Sequence, residues 1–187
     1  MNPLQFASPG DVARTFFDGW KDGTLASTTL TTLRILGLGM GFGILAAALL
    51  TAFATVSKIG DDLLSLLTAI INPLPGVAIL PLAILWFGLS DRALVFVIAN
   101  AVTWPIAISL STGFKTVNST IIAVARNIGV SGRRLMTDVL APAALPHVIS
   151  GLRTAWAFGW RTIIAAELVF GVAGGEGGLG NFINNAR

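Results

Sequence analysis

Between Ile35 and Val56 the chain carries no charged residue, and no other feature limits its folding so strongly. An α-helix rises about 1.5 Å per residue, so roughly 20 apolar residues cross the ~30 Å hydrocarbon layer of a bilayer. In water such a helix would leave apolar surface with nothing to cover it. Comparable runs follow at 63–88, 93–114 and 148–172. Composition agrees: 54% of the 187 residues are hydrophobic and 11% charged, where soluble domains carry about a quarter charged. Mean hydropathy is +0.80. The sequence implies an all-α membrane protein, a single polytopic helix bundle with crossings at 30–56, 63–88, 93–114 and 148–172.

Several chemistries are excluded at once. Cysteine is absent and His147 is the sole histidine, so disulfides, thiolate chemistry and a multi-histidine metal site in this chain are ruled out. The net charge of +3 does not point to nucleic acid, because the basic residues flank the apolar runs, as membrane topology requires. Residues 1–15 contain no apolar stretch of the signal-peptide kind. Insertion is then expected to start upstream, or from the first span acting as an uncleaved signal.

Charge also sets orientation. Segment 115–147 holds Lys115, Arg126, Arg133 and Arg134 against Asp138, which predicts that it is cytoplasmic. Residues 1–27, the turn at Asp91 and Arg92, and the tail 173–187 then lie outside. The short stretch 57–62 is read as an inner polar loop. Ser8, Pro9, Gly10 and Asp11 read as a turn before a helix starting at Val12.

Within the spans, glycines and prolines predict packing and breaks. Gly37 with Gly41, and Gly39 with Gly43, form two small-residue pairs on different faces, the spacing that permits close helix approach. Pro73, Pro75 and Pro81 interrupt the second span, and irregular backbone survives at membrane depth only against protein or a water-filled cavity. In the fourth span Arg153 can snorkel to the interface. Arg161 and Glu167 lie deeper, where charges face a bundle interior or an aqueous cavity. At 100° per residue they sit about 120° apart and cannot pair within their helix. Glu167 falls on a stripe with Trp156, Trp160 and Gly171, and Arg161 on one with Thr154, Phe158 and Ala165. Pro75, Pro81, Trp160, Arg161 and Glu167 are the candidate pathway residues, Arg161 to attract an anion and Glu167 to hold a helix contact or gate.

The cytoplasmic segment reads as two short helices broken at Gly129, the second capped by Ser131 and ended by Pro142 and Pro146. Such a knob suits a groove on a soluble partner, or else lies on lipid. Ala123, Ala125, Arg126, Gly129, Ser131, Arg133, Val139 and Pro142 are its candidate coupling residues. This stretch resembles the conserved cytoplasmic loop of binding-protein-dependent ABC importer permeases, Glu-Ala-Ala, three residues, Gly, nine residues, then Ile-x-Leu-Pro. Gly129 and Pro142 have the required separation, Ala125 matches and Val139 stands for Ile. Ala123 replaces Glu, Val124 replaces Ala and Ala141 replaces Leu, so no carboxylate stands at 123 for a salt bridge.

The resemblance extends through Pro73-Leu74-Pro75, Leu80-Pro81-Leu82, Leu85-Trp86-Phe87-Gly88, Ala165-Ala166-Glu167-Leu168, Gly177-Gly178-Leu179-Gly180 and Asn185-Ala186-Arg187 to the nitrate, sulfonate, taurine and bicarbonate branch. It implies a type I importer bundle in the bacterial inner membrane, with a cytoplasmic ATPase that binds the ATP, an external solute-binding protein and a second permease copy as partners. It implies no cofactor in this chain. It also implies six crossings, so the chain is expected to lack a first and a last helix. The run 174–180 lacks the Gly-Lys-Ser/Thr ending of a phosphate loop. Ser90 and His147 fall on opposite membrane sides, which excludes a Ser–His hydrolase pair. The other reading is an assembly protein whose cytoplasmic loop anchors a partner.

Overall fold

The structure, a computed structural model, describes residues 8–172 and 178–185, apart from the side chains of Arg133, Met136, Phe170, Val172 and Asn185. Every regular element among them is helical: α1 (Pro9–Lys21), α2 (Thr24–Val56), α3 (Lys58–Ile71), a 3-10 turn (Gly76–Ile79), α4 (Leu80–Phe87), α5 (Asp91–Lys115), α6 (Ser119–Asn127), α7 (Gly132–Arg134), a π-helical turn (Leu135–Leu140), α8 (Ala141–Val172) and α9 (Leu179–Asn185). Among the described residues, α2 and α5 are each long and apolar enough to cross a membrane. The helices Lys58–Ile71 and Gly76–Phe87 qualify together as one span bent by 94°.

α5 is the hub, packed along α2 on one side and α8 on the other. Its Leu94, Val97, Ile98, Val102 and Ala107 are fully buried. Lipid is as apolar as leucine, so helices associate through close packing rather than expulsion from water. Glycine supplies the closeness here. A Cβ on Gly39 would lie 2.6 Å from Ile98, and one on Gly43 would lie 2.9 Å from the Ala99 carbonyl. On α8, Gly151 meets Ser109 at 2.6 Å and Gly159 meets Leu36 at 3.0 Å by the same construction. Of the two predicted pairs, Gly39/Gly43 forms this seam, whereas Gly37 and Gly41 face open space. The outward face of α2 presents Leu38, Phe42, Leu45, Leu49 and Phe53, a surface suited to acyl chains.

Helix ends differ from the sequence expectation at four places. α1 starts at Pro9 rather than Val12, because Ser8 caps it: the Asp11 N–H donates to Ser8 Oγ at 3.2 Å, and Pro9 fills a first-turn position that needs no N–H. α2 starts at Thr24, whose N–H donates to Asp22 Oδ1 at 2.9 Å. That bond holds the Asp22 carboxyl below its ordinary range. The expected loop 57–62 shrinks to Ser57, whose Oγ accepts the Gly60 N–H, and Gly60 presses on the Phe53 backbone.

The fourth difference is the largest. Pro142 and Pro146 do not end a helix; both lie within α8, which runs unbroken from Ala141 to Val172. The wider π turn just before Pro142 shifts the hydrogen-bond register and absorbs one missing donor. Ser131 occupies the N-cap of α7 but makes no side-chain cap bond.

The seam generates a stability prediction. Gly43→Val forces methyl groups into α5 and should destabilise the protein by about 1–3 kcal/mol. Gly41→Ala, on the open face, should leave the thermal midpoint in detergent unchanged. Equal midpoints for both variants would refute the seam.

Candidate functional site

The second span is broken where its prolines fall. α3 stops at Ile71, and Asn72 to Pro75 cross to the 3-10 turn. Pro73 and Pro75 lack the N–H that a continuing helix needs. The break is pressed against α5 and α8: a Cβ on Gly76 would lie 2.7 Å from Thr162 Oγ1 and 2.9 Å from Ala101. Below it opens a cleft of about 290 Å³ lined by Asn72, Pro73, Pro75, Phe158, Arg161 and Thr162, among others. Arg161 is exposed there, with no ion-pair partner among the described residues. The cleft therefore combines a free guanidinium, an amide and a hydroxyl within apolar walls, a donor set suited to an oxyanion.

Glu167 solves the same problem oppositely. Its side chain is fully buried, and it accepts the Thr32 hydroxyl at 2.8 Å and the Gly180 N–H at 2.9 Å. Thr32 Oγ1 in turn accepts the Leu179 N–H at 2.8 Å. The carboxylate thereby ties α2, α8 and α9 together. Gly178 and Gly180 are glycines because a side chain at either would collide with Thr32 or Glu167.

At the other end of the bundle, α6 closes on a glycine C-cap. The Val130 N–H donates to the Ala125 carbonyl at 2.9 Å and the Gly129 N–H to Arg126 at 3.0 Å, with Gly129 at φ +83°. Ala125 is buried, and Ala123, Arg126 and Ser131 are exposed. Ile121, Val124 and Ile128 also face outward, the last 74% exposed. Val139 lies half-buried in the π turn and Pro142 is exposed at the start of α8.

Of the predicted pathway residues, Pro75 and Arg161 line one cleft; Pro81, Trp160 and Glu167 do not. Pro81 sits in the first turn of α4, where proline is tolerated. Trp160 stacks on Trp156, centroids 6.4 Å apart. Trp156 and Trp160 share Glu167's helical stripe yet remain exposed, because Thr32 and α9 cover only the end that bears Glu167. The surroundings of Gly171, the Arg133 side chain, residues 173–177, and Ala186 and Arg187 lie outside the described residues. Asn72, Gly76, Thr162 and Thr32 were not singled out in the sequence. Gly76 had a local signal, standing directly after the two prolines; Thr32 lies 135 positions from Glu167 and had none.

Comparison with known proteins agrees with this architecture. The family of binding-protein-dependent transport system inner membrane components matches residues 39–187. The chain is 33% identical over 161 residues to the taurine transport system permease protein of Escherichia coli, covering 83% of this chain and 57% of that one. It is 28% identical over 172 residues to the nitrate import permease protein of a Synechocystis species, covering 91% and 61%. It is 37% identical over 106 residues to the bicarbonate transport system permease protein of Synechococcus elongatus, covering 57% and 37%. The chain thus spans about half the length of the curated relatives it matches.

The Glu167 network makes a prediction. Glu167→Gln turns an amide donor toward one of two converging donors and should cost about 1–3 kcal/mol of stability. Thr32→Val should do the same, while Arg161→Gln should leave stability unchanged. Thermal unfolding in detergent checks all three; a Glu167→Gln midpoint equal to wild type refutes the tie.

Proposed function

Because this chain belongs to the family of binding-protein-dependent transport system inner membrane components, we propose that it is the permease subunit of an ATP-driven importer. One observation carries the reading: Arg161 stands unpaired in a cleft opened by a broken helix. An intramembrane cation is costly unless it meets water, a partner or a permeant anion. Relatives are named for taurine, nitrate and bicarbonate transport, all small solutes that carry an oxyanion group, and we assign this chain the same class of solute.

The same reading assigns the other parts. Segments 30–56, 63–88 (the bent pair around the break), 93–114 and 148–172 cross a bacterial inner membrane, with 1–27 and 173–187 outside. The segment 115–147 is the cytoplasmic coupling loop. There α6, Gly129 and α7 present Ile121, Val124, Arg126 and Ile128 to a groove on the ATPase, which supplies all ATP chemistry. Ala123, Ala125, Ser131, Arg133, Val139 and Pro142 shape that loop. A solute-binding protein delivers solute from outside, and a second copy of the permease completes the pathway.

The test is uptake by vesicles holding the permease, its ATPase and its binding protein. Labelled nitrate, taurine and bicarbonate are each offered, and ATP-dependent uptake of at least one is expected. Arg161→Gln should assemble with the ATPase but lose uptake or change solute preference. Normal assembly with unchanged rates and solutes removes Arg161 from the pathway, and absence of uptake of all three favours a protein that merely anchors a partner.

Gly129→Val tests the coupling loop separately. A β-branched residue at φ +83° is strained by about 1–2 kcal/mol. It should weaken co-purification of the ATPase while membrane insertion survives, and normal co-purification with normal uptake rules the loop role out.

A further inference from the structure

α3 is two-faced in a way the prolines alone do not explain. Asp61, Ser65, Thr68 and Asn72 recur at helical spacing and fall within about 60° of one another at 100° per residue. The opposite face carries Ile59, Leu63, Leu66 and Ile70, all exposed. An apolar outer face suits lipid. A polar face on the same helix needs water or a polar partner.

The structure provides a groove for that face. α3 packs on α2 and stands off α5. Between α3 and α5 lies a space of about 140 Å³ lined by Asp61, Ser65 and Thr68 on one side and Ser111, Thr112 and Lys115 on the other, with Leu64 and Ile108 as its apolar floor. At its mouth Lys115 pairs with Asp61, beside the start of the 116–140 connector. At its upper end Asn72, one turn beyond Thr68, is already a wall of the Arg161 cleft. From Asp61 to Asn72 the helix climbs about 16 Å. The stripe thus joins the cleft at the helix break to the Lys115 end of the bundle.

Resting on the permease reading, we infer that this stripe is the inner half of the solute path. A small oxyanion leaving Arg161 passes the Asn72 amide and the hydroxyls of Thr68, Ser65, Ser111 and Thr112, and exits past the Asp61–Lys115 pair. The Asn72 amide and the Ser65, Ser111 and Thr112 hydroxyls can donate to an anion without binding it as tightly as a charge would, which suits release; the Thr68 hydroxyl is bonded to the Leu64 carbonyl at 2.8 Å and serves as polar wall.

The chain has no cysteine, so single cysteines report without background. Ser65→Cys, Thr68→Cys and Ser111→Cys probe the stripe, and Leu63→Cys, Leu66→Cys and Ile70→Cys the opposite face. Inside-out vesicles containing the permease with its partners are treated with anionic methanethiosulfonate ethylsulfonate or its cationic trimethylammonium analogue. Stripe cysteines should react, about tenfold faster with the anionic reagent, and labelled Thr68→Cys should no longer support ATP-dependent release of solute enclosed in the lumen with the binding protein. Lipid-face cysteines should stay unlabelled. Equal labelling of both faces overturns the inference, as does an unlabelled stripe. Stripe cysteines that instead cross-link between two copies on oxidation make the stripe a dimer seam and overturn it too. Such release by the unmodified protein keeps the permease reading even when the stripe fails. A labelled stripe without any release removes the permease reading itself and leaves only a wet groove.

Discussion

Close approach of α2 and α8 to α5 is the constraint on which the rest of the bundle depends. In lipid the surrounding solvent is as apolar as the side chains, so helices gain from contact only what tight packing supplies. Gly39 and Gly43 let the α2 backbone meet Ile98, Val102 and Ala99. α8 then docks through Gly159 against Leu36 and Val102, side chains belonging to both helices of the first pair. Gly76 sets the helix break against Thr162 of α8 and Ala101 of α5. The Gly159 contact needs both helices of the first pair, and the break at Gly76 rests on the α5–α8 pair, which shares α5 with it.

This packing explains where the irregular backbone sits. A break of the kind at Asn72 to Pro75 leaves carbonyls without helical partners, which hydrocarbon would penalise by several kcal/mol per group. It is therefore held against the packed α5–α8 pair, and it leaves a cleft on its Arg161 side. The same prolines that disrupt α3 also bend the span by 94°, which carries α4 away from α3 and keeps the groove beneath the break open. Packing is dense where helices must be held together and loose along the polar faces of α3 and α8.

Much of this was legible in the sequence, and the illegible parts share a cause. Apolar run length gave the helical membrane class, and the Gly129 turn was visible from the residues around it. Local pattern could not say which glycine pair would be buried, because Gly37/Gly41 and Gly39/Gly43 have identical spacing and only the position of α5 separates them. Nor could it say that Pro81 begins a helix while Pro73 and Pro75 end one, since that depends on where the chain turns. Pro142 and Pro146 resemble helix stops, and the π turn that carries the chain into α8 depends on backbone register rather than residue type. The polar period of α3 was present in the letters but hidden by the apolar residues around it, because average hydropathy over a span ignores which face a serine or threonine occupies.

Arg161 and Glu167 show most directly how tertiary position decides function. They lie six positions apart on one helix, and the sequence marks both as costly intramembrane charges, Arg161 to attract an anion and Glu167 to hold a helix contact or gate. Their surroundings separate them. Glu167 lies where α2 and α9 converge, and its acceptors are met by the Thr32 hydroxyl and the Gly180 N–H, so its charge is consumed in holding three helices. Arg161 borders the opening under the helix break, where Asn72 and Thr162 are the other polar side chains of the lining, and no ion-pair partner stands beside it among the described residues. A carboxylate can be satisfied by one hydroxyl and one backbone N–H at a helix start, which Thr32 and Gly180 of α9 supply. A guanidinium with five donors needs several acceptors at once, and an apolar bundle offers few, so the cation is the charge left facing the cleft.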